Sequence, residues 1–218
     1  MAAFDTMVLL TYTLPPDALA RGYARWLRAV DNPFFNAVPG MGLYENWRNV
    51  ECRPDRQAFA HFDFLHPASE ADLERVWFAP DLDAFRRGWV RKWGYGAAGA
   101  APAVAANSRG WLARRDGDPA PRRGAWCVIA GDAPDAAGGE RWRILAGLRK
   151  HYAIGAAPAG ESWRAEIAPG EGPGFTRFAV HFAADEGEAR ALADRLDTRP
   201  LILATAMASP LLPQPDAA

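Results

Sequence analysis

Cysteine is scarce in this 218-residue chain, and long apolar runs are missing. The two cysteines, Cys52 and Cys127, cannot build a disulfide framework, and neither stands in a CxxC pair. No run approaches the roughly 18 to 20 apolar residues that span a bilayer. Asp5 lies where a signal peptide would have its basic flank. The sequence therefore predicts a cytoplasmic protein with no membrane partner.

An excess of charge of one sign is also missing. The chain has 25 basic and 26 acidic residues and a formal charge of -1, which argues against a nucleic-acid partner. Phosphate-loop, dinucleotide and esterase motifs (GxxxxGK[ST], GxGxxG, GxSxG) do not occur. The four histidines lack metal-ligand spacing. We therefore expect no metal and no cofactor.

Aromatic residues are abundant. Half of the residues are hydrophobic, 11% are aromatic, and nine are tryptophan. Large flat side chains often line cavities for aromatic ligands. Trp77, Phe85, Trp89 and Trp93 recur at helical spacing, which is more typical of a core than of a cofactor site. The composition predicts a folded protein with a small aromatic or apolar substrate.

Hydrophobic periodicity predicts a β-α-β-β-α-β order in the first half of the chain. Period-two runs indicate strands, and apolar spacings of three and four indicate helices. The predicted strands are Met7–Thr13, Gly42–Glu51, Phe59–Leu65 and Trp111–Arg114, and the helices run from Ala18 to about Val30 and from Ser69 to Gly94 with a break at Pro80.

The second half gives the same predicted order. Its strands are Ala125–Ala130, Ser162–Ala168, Thr176–Ala183 and Leu201–Ala208, and its helices are Glu140–Tyr152 and Gly187–Leu196. The turn-rich segment DGDPAPRR divides the halves. We therefore predict one unit over residues 1–115, a linker over 116–123 and a second unit over 124–210.

Two short matches favour an internal duplication. Glu45-Asn46-Trp47-Arg48 matches Glu161-Ser162-Trp163-Arg164, and Ala60-His61-Phe62 matches Val180-His181-Phe182. Each match falls on the corresponding strand of its half.

Two β-α-β-β-α-β units resemble the ferredoxin-like dimeric α+β barrel superfamily. The segments YARWLRAVDNPFF and WFAPDLDAFRRGWVRKWGYG look most like its EthD-type, muconolactone isomerase-like and quinone-forming monooxygenase members. The resemblance implies an α+β fold in which two sheets, here from one chain, close around a central cavity. It carries over no catalytic residue, and it leaves a homodimer open.

Strand parity selects the candidate catalytic residues. His61 and Asp63 share one face of their strand, opposite Phe62 and Phe64. If the phenylalanines pack beneath the helices, His61 and Asp63 face the cavity. The carboxylate would then raise the pKa of the imidazole and prepare it for acid–base catalysis. The alternative is a structural polar pair.

The neighbouring strands supply candidate substrate-binding residues. Tyr44 and Asn46, with Arg48 as an oxyanion-stabilising catalytic residue, share a face that we place on the same cavity. The opposite parity, with Glu45 and Trp47 inside, stays open. On the repeat strand, Arg177 and His181 face the cavity by the same argument.

These observations favour a cofactor-independent enzyme that transfers a proton next to a carbonyl or phenol. Its chemistry would be that of an isomerase, cyclase, lyase or cofactorless oxygenase. A haem protein with His61 or His181 as axial ligand is the first alternative. A binding module without catalysis is the second.

Overall fold

The computed structural model describes residues 4–53, 59–94, 108–122, 124–132, 138–148, 164–167, 172–196, 198 and 200–212. Its strands are β1 (Thr6–Tyr12), β2 (Met41–Arg53), β3 (His61–Pro67), β4 (Ser108–Arg115), β5 (Trp126–Gly131), β6 (Glu140–Leu148), β7 (Arg164–Ala165), β8 (Arg177–Ala183) and β9 (Leu201–Ala208). Its helices are α1 (Tyr23–Trp26), a π-helical turn (Leu27–Asp31), α2 (Asn32–Asn36), α3 (Glu70–Trp77), α4 (Pro80–Trp93) and α5 (Glu186–Leu196).

Eight strands form a closed antiparallel barrel. The neighbours run β4-β1-β3-β2-β9-β5-β8-β6, and β6 pairs back with β4 to close the circle. The short β7 extends the sheet beside β6. This α+β architecture, with its barrel and few helices, is consistent with the dimeric α+β barrel superfamily that the sequence resembles.

The strand orders of the two halves correspond. The first half contributes β4-β1-β3-β2, and the second contributes β9-β5-β8-β6. His61 on β3 and His181 on β8 therefore lie on corresponding strands. The other match does not follow this correspondence, because β6 takes the place of β2 while Arg164, the predicted counterpart of Arg48, lies on β7. Trp163 itself lies outside the described residues.

One predicted helix is wrong. Glu140–Leu148 forms strand β6 instead of the first part of a helix over Glu140–Tyr152, whose remaining residues lie outside the described part of the chain. Glu140, Trp142 and Ile144 are buried while the residues between them are exposed, so the burial follows a period of two.

The barrel interior is packed with apolar side chains from every part of the barrel. The inward positions alternate along each strand, as in Met7 and Leu9 on β1 or Phe178 and Val180 on β8. Further members include Trp47, Phe62, Phe64, Trp111, Cys127, Ile129, Trp142 and Ile202. The interior of the barrel is thus a core.

The helices pack on the outside of the barrel. α3 and α4 contribute Leu73 and Leu82 to a cluster that includes Tyr44 and Leu65 on the outer face of the sheet. Helix α5 covers Val128 and its neighbours in the second half. Phe62 and Phe64 therefore lie inside the barrel. The prediction that they pack beneath the helices is wrong. The face with His61 and Asp63 is the helix-covered one.

Local signals explain where the helices begin and end. Ser69 caps α3, because its hydroxyl oxygen accepts a hydrogen bond from the backbone N–H of Asp72. Pro80 at the start of α4 separates it from α3. Between α1 and α2, the π-helical turn keeps the chain helical but shifts the side-chain register by one residue.

The segment that joins the two halves sends one side chain into the barrel. Arg122 forms ion pairs with Glu45 on β2 (2.6 Å) and Glu140 on β6 (2.9 Å), and all three are buried. Its guanidinium lies 5.1 Å from the ring centre of Phe182 and 5.8 Å from that of Phe64. Arg122 thus links the two halves through a residue of the predicted linker.

In the parts of the chain that the structure describes, no helix has the length and apolar character needed to cross a membrane.

Candidate functional site

A cavity opens between the outer face of the barrel and the helices of the first half. Counted out to its solvent-open mouth, the space between its walls is about 580 Å³. Its aromatic lining comprises Tyr12, Tyr23, Phe35, Tyr44, Trp77, Phe85 and Trp89. Two carboxyl groups, those of Asp31 and Asp63, and the guanidinium of Arg86 also line it.

Asp63 lies at the centre of a hydrogen-bond network. Tyr44 Oη donates to its Oδ2 atom (2.7 Å), and Tyr12 Oη donates to its Oδ1 atom (3.1 Å). Asn46 Nδ2 also donates to Oδ1 (3.0 Å). These donors stand on β1 and β2, the strands on either side of β3, so the sheet register itself brings them to Asp63. At least three donors thus surround this buried carboxylate.

Asn46 connects Asp63 to the second carboxyl group. Its Nδ2 atom lies 3.1 Å from Asp31 Oδ2, and its Oδ1 atom accepts a hydrogen bond from Asn32 Nδ2 (3.0 Å). Asn32 in turn donates to the backbone carbonyl of Tyr44 (2.9 Å). The amide of Asn46 is therefore held in one orientation between the two acids.

The two acids differ in their electrostatic setting. Burial raises the pKa of the Asp31 carboxyl well above its usual value, and Asp63 adds to the rise. Hydrogen bonds from Asn46 and Tyr44 oppose it. Since Asp63 has the larger set of donors, the negative charge of the pair is best placed there. Asp31 is therefore the member of the pair that holds a proton more tightly.

The phenols around the acids stay protonated. Burial raises the pKa of Tyr12, Tyr23 and Tyr44 well above the ordinary value for tyrosine, and the nearby carboxylates add to the shift. These hydroxyl groups act as hydrogen-bond donors to Asp63 and its neighbours.

Aromatic rings shape the walls of the cavity. Phe35 stacks on Tyr44 with the ring centres 4.3 Å apart, and Phe85 meets Phe35 edge-to-face at 5.4 Å. Arg86 lies over the Trp77 ring at 4.8 Å and donates to the Trp77 carbonyl (2.9 Å). The walls thus offer a ligand flat apolar surfaces.

His61 adjoins this network without being hydrogen-bonded to it. Its ring stacks on Tyr12 with the ring centres 5.5 Å apart, and neither ring nitrogen has a hydrogen-bond partner among the described residues. Burial, with Arg48 nearby, lowers the pKa of His61 to about 4. The direction is opposite to the one that the sequence predicts, because Asp63 is held by the phenols and Asn46 and makes no hydrogen bond with the imidazole.

The predicted site residues fall into two groups. Tyr44 and Asp63 line the cavity, and Asn46 is hydrogen-bonded to both of them. His61 lies beside them, opposite Arg48 in the strand register, and Arg48 is exposed and does not line the cavity. Arg177 and His181 lie on β8, four strands away from β3 in either direction around the barrel. The structure does not bring those two residues to this cavity.

The sequence pattern predicts no functional role for Asp31 and Asn32 beyond ending a helix. Tyr23, Leu27 and Asp31 follow one another at spacings of four, so an acid continues the apolar stripe of this helix. Such an acid on a buried face is the signal that would have identified Asp31. Tyr12 gives a similar signal as a polar-tipped residue at the end of the buried strand β1.

Neither of the two histidines that the haem alternative names, His61 and His181, lines this cavity. The described residues that line it include no histidine, cysteine or methionine to bind the iron. The His181 ring lies against Gly139, where a Cβ atom would be 2.7 Å from its Cε1 atom. Within the described residues, no group of three histidine, cysteine or acidic side chains is placed to hold a metal ion.

Comparison with known proteins gives a distant structural similarity. No protein-family model and no curated protein matches the chain. A solved structure of a chlorite dismutase-like protein matches 94% of this chain and 95% of its own, with 13% sequence identity and a TM-score of 0.40.

Proposed function

We propose that the protein is a cofactor-independent enzyme that moves a proton within a small aromatic or apolar substrate. The observation that carries this proposal is the pair of buried acids, Asp31 and Asp63, bridged by Asn46 at the wall of an aromatic cavity. Paired carboxyl groups with different proton affinities are a common arrangement for acid–base chemistry.

Asp31 is the group that moves the proton. With its raised pKa, its ionised form is a stronger base than an ordinary carboxylate, and its neutral form keeps a proton that it can donate. The neutral Asp31 carboxyl gives its proton to a carbonyl oxygen, and the carboxylate that forms takes a proton from the neighbouring carbon, which restores the acid. The reaction is a proton shift with no net change in atoms or electrons.

The surrounding residues hold the charge and the substrate. Asp63 stays ionised among Tyr12, Tyr44 and Asn46, and its charge increases the proton affinity of Asp31. The stacked rings of Phe35 and Tyr44 provide an apolar surface for a flat substrate. His61 is a neutral neighbour in this scheme, so the chemistry is centred on a carboxyl group rather than on an imidazole.

Deuterium exchange tests this function without knowledge of the natural substrate. A panel of aryl ketones and phenols is incubated with the protein in D₂O, and loss of the α-proton signal is followed by NMR. Asp31→Asn should slow the exchange by about 100- to 10,000-fold, the usual contribution of a positioned acid or base. Asp194→Asn, which changes an exposed carboxylate paired with Arg53, should leave the rate unchanged.

Two results would contradict the proposal. Equal exchange rates in wild type and Asp31→Asn would remove Asp31 from the mechanism. Binding of panel members that stabilises the protein, with no exchange in any of them, would favour the binding module instead.

Several narrower expectations belong with this proposal. The tandem ferredoxin-like units over residues 1–115 and 124–210, the likeness to EthD-type, muconolactone isomerase-like or quinone-forming enzymes, a cytoplasmic location and a homodimer all stay predictions. The matching strand orders of the two halves support the first of them.

A further inference from the structure

A chain of hydrogen bonds runs from helix α4 to Asp63. Trp89 Nε1 lies 3.2 Å from Tyr23 Oη, and Tyr23 Oη lies 3.2 Å from Tyr12 Oη. Tyr12 Oη then lies 3.1 Å from Asp63 Oδ1. The chain therefore links a residue of the cavity wall to the ionised acid through two buried phenols.

Chemistry fixes the direction of this chain. An indole N–H can only donate, so Tyr23 Oη must accept from Trp89. Tyr23 Oη in turn donates to Tyr12 Oη, and Tyr12 Oη donates to Asp63 Oδ1. If Asp63 carried a proton on Oδ1, the Tyr12 hydrogen would have to turn away from Asp63, and the head-to-tail order from Trp89 to Asp63 would be lost.

We propose that Trp89 is a positioning residue whose indole N–H orients the two phenols towards Asp63 and so keeps the exchangeable proton of the acid pair on Asp31. This inference rests on the proposed function, since it explains which acid of the catalytic pair moves the proton. Trp89 acts through Tyr23 and Tyr12, and its ring also meets Tyr12 edge-to-face at 5.8 Å.

Substitution of Trp89 removes none of the other ionisable groups around Asp63. They are Asp31 on the π-helical turn, Tyr44 on β2, His61 on β3, Arg48 on β2 and Arg86 on α4. A change in the proton affinity of Asp63 on substitution of Trp89 is thus attributable to the phenol chain.

The test is a titration of the ligand-free protein with ¹³C-labelled aspartate side chains, followed by NMR. Asp31→Asn and Asp63→Asn assign the two carboxyl signals. Trp89→Phe keeps an aromatic ring and removes the indole N–H, and it should raise the titration midpoint of Asp63 by about one pH unit, which is tenfold in proton affinity. Trp26→Phe is the matched control, because the Trp26 ring stacks on Tyr23 with the ring centres 6.0 Å apart and no hydrogen bond joins them in the structure.

A midpoint that stays the same in folded Trp89→Phe, or moves equally in Trp26→Phe, would overturn the inference. Tyr23→Phe breaks the next link and must give the same shift, so it decides the question if Trp89→Phe does not fold. The titration needs no substrate. A protein that shows the shift but no exchange with any ketone would therefore refute the proposed function alone.

Discussion

The number of hydrogen-bond partners distinguishes the two polar residues of β3 near the cavity, Asp63 and His61. Asp63 is held by Tyr12, Tyr44 and Asn46, whereas His61, two residues before it, has no hydrogen-bond partner among the described residues. A buried imidazole without an acceptor favours its neutral form. The two residues thus share a strand face but not a chemical role.

At the residue scale, the lowered pKa of His61 predicts a pH-dependent stability. The folded-state pKa of about 4 lies below the ordinary value of about 6.5. As the pH falls from about 6.5 towards 4, the unfolded chain gains a proton that the folded protein does not take up, so His61 lowers the free energy of unfolding by roughly 3 kcal/mol across this window. His61→Gln should lack this part of the slope in urea unfolding measured at several pH values.

Identical pH dependence in wild type and His61→Gln would show that His61 does not titrate in this way. His181, whose pKa is also lowered by burial, serves as a comparison on the other side of the barrel. His181→Gln should remove its own contribution and leave that of His61.

At the scale of elements, the segment between β4 and β5 acts as more than a connection. Arg122 compensates two buried carboxylates, Glu45 and Glu140, that stand on strands from different halves. Just after it, Gly124 has a φ of 104° and lies against the backbone of Ala183, where a side chain would overlap the carbonyl group. This glycine lets the segment turn tightly into β5.

Arg122→Met should destabilise the protein by about 3 to 5 kcal/mol, because it leaves two buried carboxylates without their cation. Arg53→Met, which removes exposed ion pairs to Glu51 and Asp194, should cost less than about 1 kcal/mol. Chemical denaturation of both variants measures the difference.

Adding Glu45→Gln and Glu140→Gln to Arg122→Met should recover part of the lost stability, because neutral amides need no cation. A small effect of Arg122→Met would mean that water or rearrangement satisfies the two acids.

The alternation of apolar and polar residues along the sequence predicts most strands and which residues share a strand face. It does not predict which face of the sheet the helices cover. Every residue of β3 is buried, so both of its faces look like core, and Phe62 and Phe64 suit either layer. In β6, Trp142, Leu145 and Leu148 also fit helical spacing, which explains the wrong helix. The burial of Arg122 depends on contacts with distant strands, and no local pattern reports such contacts.

At the scale of the whole molecule, closure of the barrel joins the two halves along two seams. β2 pairs with β9 on one side, and β4 pairs with β6 on the other. Each half contributes one side of a shared apolar interior, with Trp47 and Phe64 from the first half and Ile129 and Phe178 from the second. The two halves therefore depend on each other for burial.

A fragment of residues 1–115 should not fold by itself. It would expose its side of the interior and leave β2 and β4 as unpaired edges. We expect no cooperative unfolding transition in circular dichroism and poor dispersion of amide signals in NMR, whereas the full chain should show both. A cooperative transition in the isolated fragment would show that the first half is an independent folding unit.

The direction in which the Asp31 side chain points depends on the π-helical turn Leu27–Asp31. A π turn contains one residue more than the α-helical turn it replaces, and each residue turns an α-helix by about 100°. Deletion of one residue before Asp31 would rotate one part of the helix by about 100° relative to the other part. The side chains either before or after the deletion would then face away from the sheet. The barrel would remain closed, since none of its strands is touched. A single-residue deletion in this turn is therefore enough to separate Asp31 from Asp63.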